Sequence, residues 1–184
     1  MKRILVGISG ASGSIYGVRL LEVLQENEVE SHLIISNGAT SILTHETKRS
    51  IDSVRSLASH VYDNKDLSAG PASGSFQIDD MCIVPCSMKT LASIAQGYGN
   101  TLMSRAASCM LKENKKIILV VRETPLDLPG LRNMVSAREA GATILPAMPG
   151  FYHQPETIDD LVDFIVGKIL DQLGIQHSLF KRWG

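Results

Sequence analysis

Residues 3–19, reading RILVGISGASGSIYGVR, constrain this chain more than any other stretch. Ile4-Leu5-Val6 is an unbroken apolar run, the pattern of a strand buried on both faces of a parallel sheet. Gly7, Gly10 and Gly13 follow at three-residue intervals, with Ser9, Ser12 and Ser14 among them. Val18, Leu20, Leu21, Val23 and Leu24 then recur at helical spacing. Strand, glycine–serine turn and helix make an anion site in outline. Glycine lets backbone N–H groups approach a phosphate, and the helix start adds unpaired donors and the positive end of its dipole. A tight βα turn without a ligand is the plain alternative, but three glycines exceed what so short a turn needs.

The ligand class can be narrowed. A dinucleotide fingerprint is G-x-G-x-x-G with an acidic residue ending the second strand. Here the spacing is G-x-x-G-x-x-G, and the second strand, about Glu30–Ile35, ends in Ser36-Asn37. The Gly-Lys-Ser/Thr of a P-loop is absent. A mononucleotide such as FMN suits this turn better than NAD or ATP.

Apolar runs at Ile4–Val6, His32–Ile35, Met81–Val84, Ile117–Val121 and Thr143–Leu145 predict five strands. Helix-period segments separate them, at about Ile15–Gln25, Gly38–Glu46, Lys89–Ala95, Thr101–Lys112, Leu131–Ala140 and Ile158–Leu173. This alternation predicts a three-layer α/β domain, Rossmann-like or flavodoxin-like, with one parallel sheet covered on both faces. At 184 residues and 44% hydrophobic content, one domain spanning 1–184 is expected. A net charge of -1 does not mark a nucleic-acid surface, and no apolar run approaches a membrane span. The N-terminus runs directly into a strand, so no signal peptide is expected. Cys82, Cys86 and Cys109 are odd in number and lack metal-ligand spacing, which suits a reduced cytoplasm.

Ligands of parallel sheets sit at the carboxyl ends of strands, so the residues after each strand carry the functional reading. After the second come Ser36 and Asn37, then a helix with His45 and Glu46. The Ser/Ala/Gly-rich stretch Asp66–Gln77 predicts a mobile loop, a candidate lid. Pro85-Cys86-Ser87-Met88-Lys89-Thr90 leads into a helix and offers a second anion-binding edge; a plain serine cap beside a surface lysine would look the same. Arg122-Glu123 leaves another strand, either as a surface ion pair or as a phosphate ligand beside a proton shuttle. Pro146, Pro149 and Pro155 frame a rigid loop around Phe151-Tyr152-His153.

Asp159-Asp160-Leu161-Val162-Asp163 matches the D-D-x-x-D pattern that holds magnesium diphosphate in isoprenoid enzymes. Thr157 as N-cap with Asp160 at N3 explains the same residues as helix capping, and no other carboxylate cluster suggests a metal. The five histidines form no recognisable motif, and His32 in its apolar run reads as structural. Cys86 has no assignable base, while Cys82 and Cys109 read as packing residues.

Three stretches carry a resemblance: GISGASGSIYGVRLLE, PCSMKTLASIAQGYGNTLMSRAASCMLKENKKIILVVRETPL and MPGFYHQPETIDDLVDFIVGKILDQLGI. Together they resemble the UbiX-type flavin prenyltransferases, formerly labelled 3-octaprenyl-4-hydroxybenzoate or phenylacrylic acid decarboxylases, over nearly the whole chain. The resemblance implies metal-independent transfer of a dimethylallyl group from dimethylallyl phosphate to N5 and C6 of reduced FMN. The prenylated FMN then serves a UbiD-type decarboxylase. It implies FMN contacts from Gly10, Ala11, Ser12, Ser36, Ser87, Met88, Lys89, Thr90 and Arg122. Tyr152 and Lys168 would hold the prenyl phosphate, with Arg105 and Lys112 nearby, and Ser12, Glu46 and Glu123 would support proton movements. Arg122, Glu123, Tyr152 and Lys168 are expected to meet around that phosphate. Many members carry arginine where this chain has Lys168, which keeps the charge without the bidentate fork. Trimers assembled into dodecamers are the implied state. A flavin-dependent peptidyl-cysteine decarboxylase, with His45 as the candidate histidine, and a non-catalytic FMN carrier are the competing readings.

Overall fold

The computed structural model describes residues 2–183. Its strands are β1 (Arg3–Ile8), β2 (Glu30–Ile35), β3 (His60–Asp63), β4 (Asp80–Cys86), β5 (Lys116–Val121) and β6 (Thr143–Ile144). They form one parallel sheet in the order β3-β2-β1-β4-β5-β6. The helices are α1 (Ser14–Glu26), α2 (Asn37–Thr47), α3 (Ile51–Arg55), α4 (Met88–Ala95), α5 (Leu102–Lys112), α6 (Leu128–Glu139) and α7 (Ile158–Leu173). Side chains alternate across the sheet. Ile4, Val6 and Ile8 therefore pack with residues of α1, α2, α3 and α7 on one face. Leu5, Met81, Ile83 and Leu119 pack with residues of α4, α5 and α6 on the other. The expected three-layer α/β domain is present. Among the described residues no helix is long and apolar enough to cross a membrane.

Two elements escaped the apolar pattern. β3 reads His-Val-Tyr-Asp at the sheet edge, where Val61 is 41% exposed, so it carries no continuous apolar run. α3 is a single short helix started by Ser50, whose hydroxyl accepts the N–H of Ser53. The start of α6 also lies earlier than its apolar period indicates. Asp127 accepts the N–H of Gly130 at 2.8 Å, and Pro129 occupies the first turn.

The 66–77 segment does not have the form of a lid. It makes a 3₁₀ turn at Gly70–Ala72, and Pro71 is buried. The carbonyl of Ala72 accepts Arg105 Nε at 3.1 Å, while Phe76 packs edge-on against His32 and Tyr62. Small and polar residues here serve tight turns. At α7 the capping reading of the aspartates holds. Asp160 N donates to Thr157 Oγ1 at 3.1 Å, and Thr157 N donates back to Asp160 Oδ2 at 2.8 Å. Asp163 pairs with Arg19 at 2.7 Å, so the D-D-x-x-D residues are divided between a cap and an ion pair.

Candidate functional site

Residues that follow five of the strands converge on one cleft of about 580 Å³. Gly10 follows β1, Ser36, Asn37 and Gly38 follow β2, and Asn64 and Lys65 follow β3. Ser87, Met88, Lys89 and Thr90 follow β4, and Glu123 follows β5. The cleft lies where the order reverses, with β1 flanked by β2 and β4, the position at which parallel sheets take ligands.

The glycine–serine turn contributes differently from its sequence outline. Ser9 is buried; its hydroxyl donates to the Pro85 carbonyl at 2.9 Å and accepts the Ser87 N–H at 2.7 Å. It fastens the turn after β1 to the turn after β4. Ala11 is buried, its N–H donating to Ser9 O. Ser12 stands next to Gly13, whose N–H is held by Glu46, and Ser14 Oγ is buried without a partner. Of this turn, Gly10 faces the cleft, and a Cβ there would stand 3.0 Å from the backbone of Gly38. Glycine is required where these two backbones pass.

The donors at the start of α1 are already occupied. Glu46 Oε2 accepts the N–H groups of Gly13 and Ser14, each at 2.9 Å. Burial alone would push this carboxyl up, but hydrogen bonds from Ser12, Ser14 and Gly13 outweigh it and hold the group below the usual carboxylate range. Glu46→Ala should cost roughly 0.5–2 kcal/mol, as loss of an N-cap does, toward the low end because the carboxylate is exposed. A depressed folded pKa contributes stability above the unfolded pKa that is lost as pH falls through the folded value. The melting difference from wild type should thus be present at pH 7 and shrink as the pH is lowered below about 4.3.

Two other helix starts open onto the cleft. Ser36 at the start of α2 makes no side-chain cap, leaving the first N–H groups of that helix without a side-chain acceptor. At α4 the Ser87 hydroxyl takes the Thr90 N–H at 3.3 Å and leaves those of Met88 and Lys89 for a ligand. The positive ends of two dipoles and the Lys89 ammonium therefore share one concavity. Arg122, expected to contact FMN, is not among the cleft-lining residues; its backbone N–H is on Cys86 O, its charge acts on Tyr16, and its Nε is buried without a partner. The unpaired N–H groups and the lysine in this cleft fit a phosphorylated ligand such as FMN.

The sequence reading missed the far wall. Asn64 Oδ1 accepts the Met103 N–H at 3.0 Å and Asn64 O accepts that of Leu102, tying β3 to the start of α5. Asn100, Thr101, Met103 and Ser104 complete the lining. The Thr101-x-x-Ser104 capping box was the available signal, but nothing local aims it at the cleft.

The remaining candidates lie elsewhere in the chain. Arg105 binds Ala72 O, and Lys112 lies 3.7 Å from Glu113. Tyr152 packs edge-on against Phe164, His153 and Trp183. Lys168 lines a separate cleft with Pro146, Met148 and Phe164, its amine 3.5 Å from Asp171. Glu123 and Lys168 thus do not share a cavity within one chain, whereas Tyr152 and Lys168 both border Phe164. Burial pushes the Cys86 thiol up to about 12, so it is no nucleophile at neutral pH. His45 sits exposed in the last turn of α2, outside the cleft lining.

A family model described as Flavoprotein matches residues 1–170. The flavin prenyltransferase UbiX of Escherichia coli K12 is 48% identical over 186 residues, covering 100% of this chain and 98% of its own. The flavin prenyltransferase UbiX of Thauera aromatica is 48% identical over 181 residues, covering 98% and 93%. The crystal structure of AnUbiX in complex with FMN and dimethylallyl pyrophosphate superposes with a TM-score of 0.98 at 43% identity, covering 100% of this chain and 97% of that one. The dodecameric FMN-dependent UbiX-like decarboxylase of Escherichia coli O157:H7 gives 0.97 at 43%, covering 99% of both chains. The FMN-dependent cysteine decarboxylase TvaF, at 17% identity and TM-score 0.63, covers 78% of this chain and 89% of its own, and shares the fold alone. By its sequence over the full length and by the cleft at its sheet's switch point, this chain belongs to the UbiX family of flavin prenyltransferases.

Proposed function

We propose that the protein joins the dimethylallyl group of dimethylallyl phosphate to N5 and C6 of reduced FMN, making prenylated FMN for a UbiD-type decarboxylase. The observation that carries this reading is the pair of open helix starts, α2 and α4, around one cleft in a chain 48% identical to flavin prenyltransferases. Reduced flavin supplies the nucleophilic ring positions. The chain supplies the grip: N–H groups after Ser36 and Ser87, the Lys89 ammonium and the Arg122 guanidinium hold phosphate, and Gly10 lets the ligand lie close. Glu123 at the cleft wall is the proton partner, and Glu46, with Ser12, orders the adjoining turn.

Lys168 and Tyr152 lie outside this cleft, so a neighbouring copy is the means of bringing cations and a phenol to the prenyl phosphate, with Arg105 and Lys112 on the same errand. Exposed Leu128, Leu131 and Val135 on α6, and Met148, Phe151 and Trp183 near Tyr152, offer apolar contact surface for such a homo-oligomer. The dodecameric Escherichia coli relative supports a trimer-based dodecamer here. Residues 1–184 act as one flavin-binding domain, and three free cysteines suit the cytoplasm.

The test is incubation with reduced FMN and dimethylallyl phosphate in excess EDTA, followed by the mass of the extracted flavin. A flavin heavier by one isoprene unit is expected; an unchanged flavin, or carbon dioxide release from cysteine peptides instead, overturns the reading. Glu123→Gln should leave FMN affinity within about twofold while slowing turnover by about 100-fold or more, the range for a lost general acid or base. Single-turnover kinetics read that split.

A further inference from the structure

The sheet edge opposite the cleft carries a cluster that the flavin chemistry does not use. His32 on β2 and His60 on β3 are register partners across the parallel pair. Glu30 lies two residues before His32, so all three side chains project from one face of the sheet. His32 Nε2 is 3.1 Å and His60 Nε2 is 3.4 Å from the same oxygen, Glu30 Oε1. The three donor atoms lie within 4.8 Å of one another. Metal–ligand bonds of about 2.0–2.1 Å at tetrahedral angles place donor atoms roughly 3.4 Å apart, which the two nitrogen–carboxylate distances match; the two imidazole nitrogens would draw together on an ion.

We propose that Glu30, His32 and His60 bind a divalent transition-metal ion of the zinc class, clipping the edge strand β3 to β2. Two imidazoles and one carboxylate suit zinc, not magnesium or calcium, which take oxygen donors. The outer partners are those a metal site needs. Tyr62 Oη lies 2.9 Å from His32 Nδ1, which fixes the ring with Nε2 toward the carboxylate. Arg3 Nε lies 3.2 Å from Glu30 Oε2, holding the carboxylate in place with its other oxygen toward the histidines. His60 is 52% exposed, so the ion has an entry path and a coordination position open to water. The register of β2 with β3 brings the second imidazole alongside at 4.6 Å, with its nitrogen toward the same carboxylate oxygen.

The site lies toward the start of β2 and β3 and the flavin cleft beyond their ends, with Ser36 and Asn64 each four residues past a histidine, about 13 Å along the strand. The ion is thus structural and separate from the cleft proposed for prenyl transfer. The test is a titration of EDTA-stripped full-length protein with zinc alone at pH 7.5, against a chromophoric chelator. One zinc per chain is expected. His60→Ala and Glu30→Gln should each lower affinity at least tenfold, and Tyr62→Phe should lower it about tenfold at unchanged stoichiometry. Zinc should raise the melting temperature of wild type but not of His60→Ala. Absence of saturable binding, or wild-type affinity in both His60→Ala and Glu30→Gln, overturns the proposal.

Discussion

Ser87→Asp is expected to abolish FMN binding in practice, lowering affinity by about 100-fold or more, ~2.7 kcal/mol, with the fold intact. Aspartate is as good an N-cap as serine, so it can accept the Thr90 N–H and keep α4 started. Its charge also complements the helix dipole, so the melting temperature should not fall. The same carboxylate would stand at the N–H groups proposed to hold the phosphate. Two like charges about 4 Å apart at a protein surface repel by roughly 4 kcal/mol before salt screening. Ser87→Asn separates charge from shape: it caps the helix and should bind FMN within about tenfold of wild type. Fluorescence titration of FMN against the three proteins measures this. Wild-type affinity in Ser87→Asp would move the phosphate away from α4, leaving α2 as its anchor.

Gly17→Ala is expected to destabilise the protein by about 3 kcal/mol, despite alanine's better helix propensity. A Cβ at this position would stand 2.5 Å from the Val84 carbonyl oxygen and 3.0 Å from Ile8. Neither neighbour can yield cheaply. Val84 is in β4 at the centre of the sheet, and Ile8 is fully buried. Helix α1 must move outward, loosening Val18, Leu20 and Leu21 from the core. A loss of that size corresponds to a fall in melting temperature of about 6–12 °C for a chain this long. Gly97→Ala is the control. Gly97 meets no atom within 4 Å but has φ +67, so its cost is backbone strain alone, about 1 kcal/mol. A wild-type melt for Gly17→Ala would show that α1 packs farther from β4 than described.

The extent of legibility follows from where information is stored. Strands buried on both faces, such as Ile117–Val121, must be apolar throughout, so they are visible in one dimension. β3 is an edge strand with an exposed face and was hidden for that reason. The cleft residues Ser36, Ser87, Met88, Lys89 and Thr90 were found because a parallel sheet puts its ligand just after its strands. Asn64 and Asn100 were missed because their place in the cleft depends on how β3 and the α4–α5 connection fold against it.

The chain's own order of residues determines the alternation of strands and helices, the glycines where backbones cross, and the serine and threonine caps. These are local matters of sterics and hydrogen bonding. Which helix start is left open is not local. The glycine turn before α1 has the composition of an anion site, yet Glu46, 32 residues beyond Ser14, fills its donors with a carboxylate. The grouping of Glu30 and His32 with His60 likewise awaits the pairing of β2 with β3. In each case residues far apart in sequence compete for, or combine around, the same few ångströms. Packing alone sets that distance.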